Sequence, residues 1–384
     1  MMFGIPLAWL QLMREKLRLT VAVAGVAFAV ILIFMQLGFR NALFESSTRL
    51  HEAFAGDLFL ISPQFDFLAQ PKSFSRRRLL QALSYPGVES VSPVYLGLSL
   101  WKNPESGKTR MIFVAGIDPS DDVLDLPGVR EQRDRIRLPD VVLYDRAGRP
   151  EFGPIAAAVA AGRPVSAEVG NRRVNVGGLF EMGTSFGVDA CIVTSATNFQ
   201  RLFPSRERGL IDVGVIRLRP GVDPAAVRDA LRAEFPRDVL VLTRAEYIQR
   251  EQTYWDTSTP IGYVFTFGVI IGLVVGGIIV YQILFADVSD HLAEYATLKA
   301  MGYPDRYLFG VVFQEAVLLA ALGYIPGALI TAALYRVAGD ATNLPMQLSV
   351  PLALYVFALA VAMCCVSGAI ALRRIRSADP AEIF

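Results

Sequence analysis

The sequence predicts an α-helical membrane protein of four spans that carries a folded α+β domain outside the bilayer. Three observations predict it. Hydrophobic residues make up 53% of the chain and charged ones only 19%, the balance of an integral membrane protein with a sizeable soluble part. Four apolar runs, at about 19–40, 257–286, 307–335 and 348–372, are long enough for the roughly 20 residues that a crossing needs. Between the first and second runs lie residues 41–256, in which strand-like alternation and helix-like periodicity recur twice in the same order.

Residues 1–18 read as a cytoplasmic or interfacial amphipathic helix. Ile5, Trp9 and Leu12 share one face, and the basic residues Arg14, Lys16 and Arg18 follow. A basic cluster ahead of an apolar run imitates a secretory leader. Here the run is too long and lacks a small-residue cleavage site, so 19–40 is expected to stay as the first span.

The segment 41–256 reads as a domain with a weak internal repeat. DLFLIS alternates like a strand, residues 75–84 are helical in pattern, and PGVESVSPVYL returns as a strand. IDVGVIRLRP, DPAAVRDALRAEF and PRDVLVLT then repeat the order strand, helix, strand. Two such units split by an insertion predict a ferredoxin-like (split βαβ) lobe from about 45–97 and 210–250. The insert, about 98–209, is rich in glycine turns and short strands and predicts a mostly β second lobe.

The second span, 257–286, carries Gly268, Gly272 and Gly276 in tandem GxxxG spacing, which lets helix backbones approach closely in lipid. It runs into a polar segment, 287–306. Asp287 is expected as the N-cap, with Asp290 three residues on, where carboxylates meet the positive end of the helix dipole. Gly302 and Pro304 stop the helix. His291, Tyr295, Leu298 and Gly302 fall on one stripe, Leu292 and Ala296 on another. A short two-faced helix between spans reads as a docking element, while spacing alone leaves an ordinary solvated loop helix equally open.

The third span, 307–335, contains Glu315 near its start and Pro326, which is expected to kink it. A short turn-rich loop, 336–347, leads to the fourth span, 348–372, and a cytoplasmic tail, 373–384. Arg14, Lys16 and Arg18 before the first span, with Arg373, Arg374 and Arg376 after the fourth, place both termini in the cytoplasm and 41–256 outside. Glu315 is expected about two turns inside the cytoplasmic end, paired with Arg306 or Lys299 or reaching interfacial water. It is read as a structural anchor in preference to a proton relay.

Enzymatic motifs are weak. Gly183, Ser185 and Gly187 match the nucleophile elbow, but the only later histidine is His291, across the membrane, so the segment is read as a turn. Gly107, Lys108 and Thr109 resemble the end of a phosphate loop, yet Lys102 stands where the first glycine belongs. With two histidines and three cysteines, a metal site or disulfide framework is not expected. The net charge of +1 argues against nucleic acid as partner.

The whole layout resembles the MacB, LolC and FtsX group of ABC transporter permeases. The wording of YDRAGRPEFGP, VGGLFEMGTSFGVD, TPIGYVFTFGVIIGLVVGGIIVYQIL, DVSDHLAEYATLKAMGY and QEAVLLAALGYIPG is closer still to the DevC-type permease of DevBCA exporters. The resemblance implies an inner-membrane, noncatalytic subunit with a periplasmic domain. It implies a homodimer on a DevA-like ATPase dimer that alone binds ATP and Mg, leaving no cofactor on this chain. A DevB-like periplasmic adaptor, a TolC-like outer-membrane duct and membrane lipid are the further partners it implies. The polar segment then becomes the coupling helix, with Asp290, His291, Glu294, Tyr295, Lys299, Met301 and Gly302 toward the ATPase. The implied work is mechanotransmission that exports lipid-like cargo such as glycolipid. An FtsX-like regulator of a cell-wall hydrolase and a LolC-like lipoprotein-releasing permease are the alternatives.

Overall fold

The computed structural model describes residues 16–372. Ile5, Trp9, Leu12 and Arg14 of the amphipathic segment lie outside the described residues, as does the tail with Arg373, Arg374 and Arg376. The chain opens with α1 (Lys16–Ala53), β1 (Leu58–Ile61), β2 (Phe74–Ser75), α2 (Arg76–Leu83), β3 (Val88–Lys102) and β4 (Thr109–Ile117). It continues through α3 (Val129–Gln132), β5 (Val141–Asp145), α4 (Ile155–Ala160), β6 (Ser166–Val169), β7 (Arg172–Phe180), β8 (Cys191–Ser195) and α5 (Ala196–Leu202). Next come β9 (Leu210–Ile211), β10 (Val213–Leu218), α6 (Pro224–Glu234), β11 (Leu240–Thr243) and α7 (Arg244–Thr253). A π-helical turn, Tyr254–Ser258, leads to α8 (Pro260–Asp290), α9 (Leu292–Ala300), α10 (Asp305–Thr342) and α11 (Val350–Ala371).

Two compact units emerge. One is helical, built from residues up to 42, 261–341 and from 346 on; the other is the sheet unit, 43–260 with 342–345. Among the described residues, four helices are long and apolar enough to cross a membrane: α1, α8, α10 and α11.

In the sheet unit the strand order begins β11, β1, β10, β3, all antiparallel. The helices α2 and α6 are the crossovers of β1-α2-β3 and β10-α6-β11, so this half is the ferredoxin-like lobe with its two βαβ halves interleaved. Local signals build it. Ser75 caps α2, Asp223 caps α6 with Pro224 in its first turn, and Thr243 and Glu246 form a capping box on α7.

The insert does not form a detached lobe, because β3 serves both halves. Its residues from Val88 to Val94 pair with β10, and Tyr95 to Lys102 pair with β4. The sheet then runs β4, β8, β5, β7, β6, with parallel pairing at β4–β8 and β5–β7. Trp101 and Lys102 of β3 meet Val169 and Glu168 of β6, which closes a six-stranded ring of pairings. Alternation divides the interior: Ile112 and Val114 enter one core with Trp101 and Tyr144, while Phe113 and Ala115 enter another with Phe54 and Tyr247. A lobe boundary near residue 98 therefore falls inside one strand and is corrected to a division of labour along β3.

Several helix ends differ from the sequence expectation. The first helix continues beyond residue 40 to Ala53, with Ser46, Ser47 and Thr48 bonding back to their own helix carbonyls. The third helix runs through Pro326 and on to Thr342, so residues 336–342 of the expected loop are helical. Asn343 then ends it in the left-handed region at φ 56°, a conformation asparagine tolerates at a helix C-terminus.

Candidate functional site

The polar segment after the second long helix is built differently from its sequence reading. Asp287 is no N-cap: α8 continues through it to Asp290, and α9 starts at Leu292. The Asp287 side chain is buried. His291, in the break between the helices, is also buried, and its Nδ1 lies 3.0 Å from the Asp287 carbonyl oxygen. The imidazole is packed against its own chain, whereas the sequence reading set it on an open stripe.

The remaining candidates divide. Asp290 is half exposed and receives the Arg18 guanidinium at 2.8 Å, which ties the break to the start of α1. Glu294 is exposed, Met301 is 64% exposed, and Gly302 closes the helix at φ 93°. That φ is open to glycine at no steric cost, which is why the turn falls there. The side chains of Tyr295 and Lys299 lie outside the described residues. Beyond the turn, Tyr303 and Tyr307 are exposed and their rings stand 5.1 Å apart. The sequence reading passed over this aromatic pair, although its i, i+4 spacing astride Pro304 was the available signal.

Glu315 is fully buried in α10, and its carboxyl lies against that of Asp287. Arg306 is exposed to solvent, and among the described residues no ion pair reaches Glu315. The expected partner was a cation or interfacial water; the observed one is a second acid from the neighbouring helix.

The glycines of α8 pack within the chain. A Cβ at Gly272 would stand 3.2 Å from Ile33 Cγ1, and one at Gly276 would stand 2.5 Å from Ala29 Cβ and 2.6 Å from Met363 Sδ. Gly268 faces Gln36. The tandem GxxxG face therefore holds α8 on α1, with α11 beside it. Gly323 and Gly327 do the same for α10: a Cβ at Gly327 would meet Val30 Cγ1 at 2.9 Å and the Ala27 carbonyl at 3.0 Å. The Tyr335 hydroxyl donates to the Phe34 carbonyl, and Ser367 Oγ donates to the Gly277 carbonyl at 2.8 Å. Such contacts replace the hydrophobic drive that lipid cannot supply. Away from the glycines, α8 exposes Tyr263, Phe267, Ile270, Val274 and Ile278.

Both enzymatic motifs are structural. Ser185 Oγ accepts N–H bonds from Gly187 at 3.2 Å and Val188 at 3.0 Å, which makes it a turn former. Gly107 and Lys108 sit in the β3–β4 hairpin, where the Asn103 side chain accepts from Glu105 and Ser106.

The sheet unit contains an ionisable pair that the sequence did not disclose. His51 of α1 and Glu251 of α7 are buried with His51 Nε2 3.5 Å from Glu251 Oε2. Glu251 also accepts from Leu68 N–H and Trp255 Nε1–H, each at 2.9 Å. Burial pushes the His51 imidazole down to about 3 and the Glu251 carboxyl up to about 7. Burial thus favours the neutral form of both partners.

The MacB-like periplasmic core domain family matches residues 19–234, more than half the chain. The chain is an ABC transporter permease of the MacB/FtsX type. The FtsX-like permease C-terminal family matches residues 266–380, which includes α9, α10 and α11. This permease is 22% identical over 260 residues to an uncharacterized ABC transporter permease of Mycobacterium bovis, covering 62% of this chain and 67% of the relative. Two permeases of Mycobacterium tuberculosis match with the same figures. Among solved structures, it is similar to the periplasmic region of MacB from Actinobacillus actinomycetemcomitans, at 11% identity and a TM-score of 0.36, covering 52% of this chain and 94% of that one. The extracellular domain of the transporter YknZ from Gram-positive bacteria matches at 13% identity and a TM-score of 0.35, covering 49% and 99%.

Proposed function

We propose that this permease is the noncatalytic membrane subunit of a tripartite exporter. It couples ATP hydrolysis by a separate, DevA-like ATPase dimer to motion of its periplasmic sheet unit. The observation that carries the reading is α9 and the turn after it, which presents Glu294, Met301 and Gly302 to solvent between two spans while Arg18–Asp290 and buried His291 hold its base. A short exposed helix fixed at its root receives a push and passes it on.

Supporting it, residues 19–39, 260–286, 316–335 and 350–371 contain no Asp, Glu, Lys or Arg. Spans whose middles are uncharged, with Glu315 near the start of the third, lack the polar lining that a conduit for hydrophilic cargo uses, and they suit a lever. In this reading the termini are cytoplasmic, α9 with Tyr295 and Lys299 meets the ATPase, and two copies of the permease pair. A DevB-like adaptor and a TolC-like duct carry lipid-like cargo onward; this part rests on the DevC-like wording of the sequence.

The test is affinity isolation of the tagged permease from its own membranes in mild detergent, with mass spectrometry of what accompanies it. An ATPase together with a periplasmic adaptor is the expected outcome. An ATPase with a peptidoglycan hydrolase replaces export by regulation, and no ATPase at all overturns the coupling role of α9.

A further inference from the structure

The loop between β7 and β8 carries the unused serine motif, and it gathers contacts from three segments of the sheet unit that continue in the chain into spans. At its root, the buried Asp145 carboxylate at the end of β5 accepts the N–H groups of Met182 at 3.1 Å and Gly183 at 3.0 Å. This root belongs to the closed ring of strands. From the extension of the first span, Arg49 Nη1 donates to the Met182 carbonyl at 3.1 Å. Gly183, at φ 91°, leaves the space the guanidinium fills. From the segment leading into the second span, the Trp255 ring lies 3.3 Å from where a Gly187 Cβ would be. Trp255 in turn donates to Glu251, the neighbour of His51. From the connection between the third and fourth spans, the Asn343 carbonyl accepts the hydroxyl of Thr184 at 2.9 Å. Thr184 is fully buried.

Three chain segments, each covalently continuous with a span, thus reach Met182, Gly183, Thr184 and Gly187 of one loop. We propose that this loop is the junction at which displacement of the spans enters the six-stranded half of the sheet unit, with Thr184 and Arg49 as its positioning residues. The inference rests on the mechanotransmission reading above and adds where in the chain the motion is received. A hydrogen bond has directional geometry, and this part-buried one is held at its donor end by the fully buried Thr184. The Thr184–Asn343 bond therefore transmits displacement where an apolar contact would slide.

The test uses the full-length permease with its co-purified ATPase in lipid nanodiscs, comparing hydrogen–deuterium exchange without nucleotide and with ATP plus vanadate. Peptides from 292–303 report the coupling segment, and peptides from 141–145 and 191–195 report the strands of the six-stranded half. In the unaltered protein and in Thr184→Ser, which keeps the hydroxyl, nucleotide is expected to change exchange in both regions. In Thr184→Val the coupling segment still responds, while the response of the six-stranded half falls about fivefold, the factor that one net hydrogen bond corresponds to. Arg49→Gln, which removes the tie from the other side, gives the same selective loss and serves if Thr184→Val does not accumulate. A Val variant whose six-stranded half responds like the unaltered protein overturns the junction, and so does one silent in both regions. If the unaltered protein responds in neither region, the mechanotransmission reading itself falls.

Discussion

His51 and Glu251 place an imidazole and a carboxyl 3.5 Å apart in a fully buried site that joins the extension of the first span to the helix preceding the second. Tyr247 covers the imidazole, with ring centroids 4.3 Å apart. A buried ion pair has to overcome the desolvation of both charges. Burial shifts both groups toward their neutral forms, which lessens that cost, and the pH dependence follows.

His51 is held at about 3, below its ordinary 6.5, so its contribution to stability is present above 6.5 and lost as the pH falls. Glu251 is held at about 7, above its ordinary 4.5, so its contribution is present below 4.5 and lost as the pH rises toward 7. Between 4.5 and 6.5 the two slopes oppose each other. Removing one partner exposes the other slope, of about 1.4 kcal/mol per pH unit. His51→Gln is expected to gain stability on going from pH 6.5 to 4.5 relative to the unaltered protein, and Glu251→Gln to lose it. Thermal unfolding in detergent across that range measures both, and parallel profiles for all three proteins would refute the assignment.

Glycine substitutions separate close helix contacts from open positions. Gly327→Ala drives a methyl into the Ala27 carbonyl and Val30, neither of which can swing away, and is expected to cost about 1–3 kcal/mol. Gly276→Ala meets Ala29 in the same way, with Met363 as the more yielding neighbour. Gly310, on the same helix as Gly327, has open space where its Cβ would be; Gly310→Ala should stabilise by about 0.5–1 kcal/mol through helix propensity. A Gly327→Ala protein that melts with Gly310→Ala would show that α10 does not pack on α1 this closely.

The spans and the α+β character were legible because both rest on periodicity and length. Uncharged runs can only be spans or core, and PGVESVSPVYL beside IDVGVIRLRP alternates as sheet strands must. The interleaved order of β11, β1, β10 and β3 follows from two βαβ units that share one sheet. What escaped were relations between distant residues. Local pattern cannot tell that β3 is long enough to serve both halves, that β6 returns to Trp101, or that Asp287 turns inward to Glu315. Asp287 looked like a cap because an acid after an apolar run usually is one. Here α8 continues another three residues, and the acid is spent inside the bundle. The role of Thr184 was equally invisible, since its partner is a backbone carbonyl 159 residues away.

Contact with the ATPase should be sensitive at the exposed end of α9. Met301→Asp puts a charge on a 64% exposed apolar side chain, and Glu294→Ala removes an exposed carboxylate. If α9 is the docking element, Met301→Asp weakens retention of the ATPase about tenfold or more, as loss of a contact hot spot does. Glu294→Ala and Tyr295→Ala reduce permease-dependent ATP turnover without loss of inserted protein. Quantitative pull-down and turnover in nanodiscs measure the two effects. Full retention and full turnover in all three variants would place the ATPase contact elsewhere.

Glu315 distinguishes an anchor from a proton relay by substitution at constant shape. Its carboxyl faces that of Asp287 across two helices, in a bundle where like charges at close range repel strongly. Glu315→Gln keeps the side-chain volume and supplies an amide that can donate to Asp287. An anchor therefore tolerates it within about 1 kcal/mol, and the nucleotide-driven exchange response persists. Glu315→Ala deletes the head group and leaves a cavity, for a cost of about 2–4 kcal/mol. A relay behaves oppositely in the Gln variant, because an amide cannot pass the proton on, so coupling would be lost at full stability. Melting temperature and nucleotide response measured together on Glu315→Gln decide between them: intact response supports the anchor, and a stable but unresponsive protein sinks it.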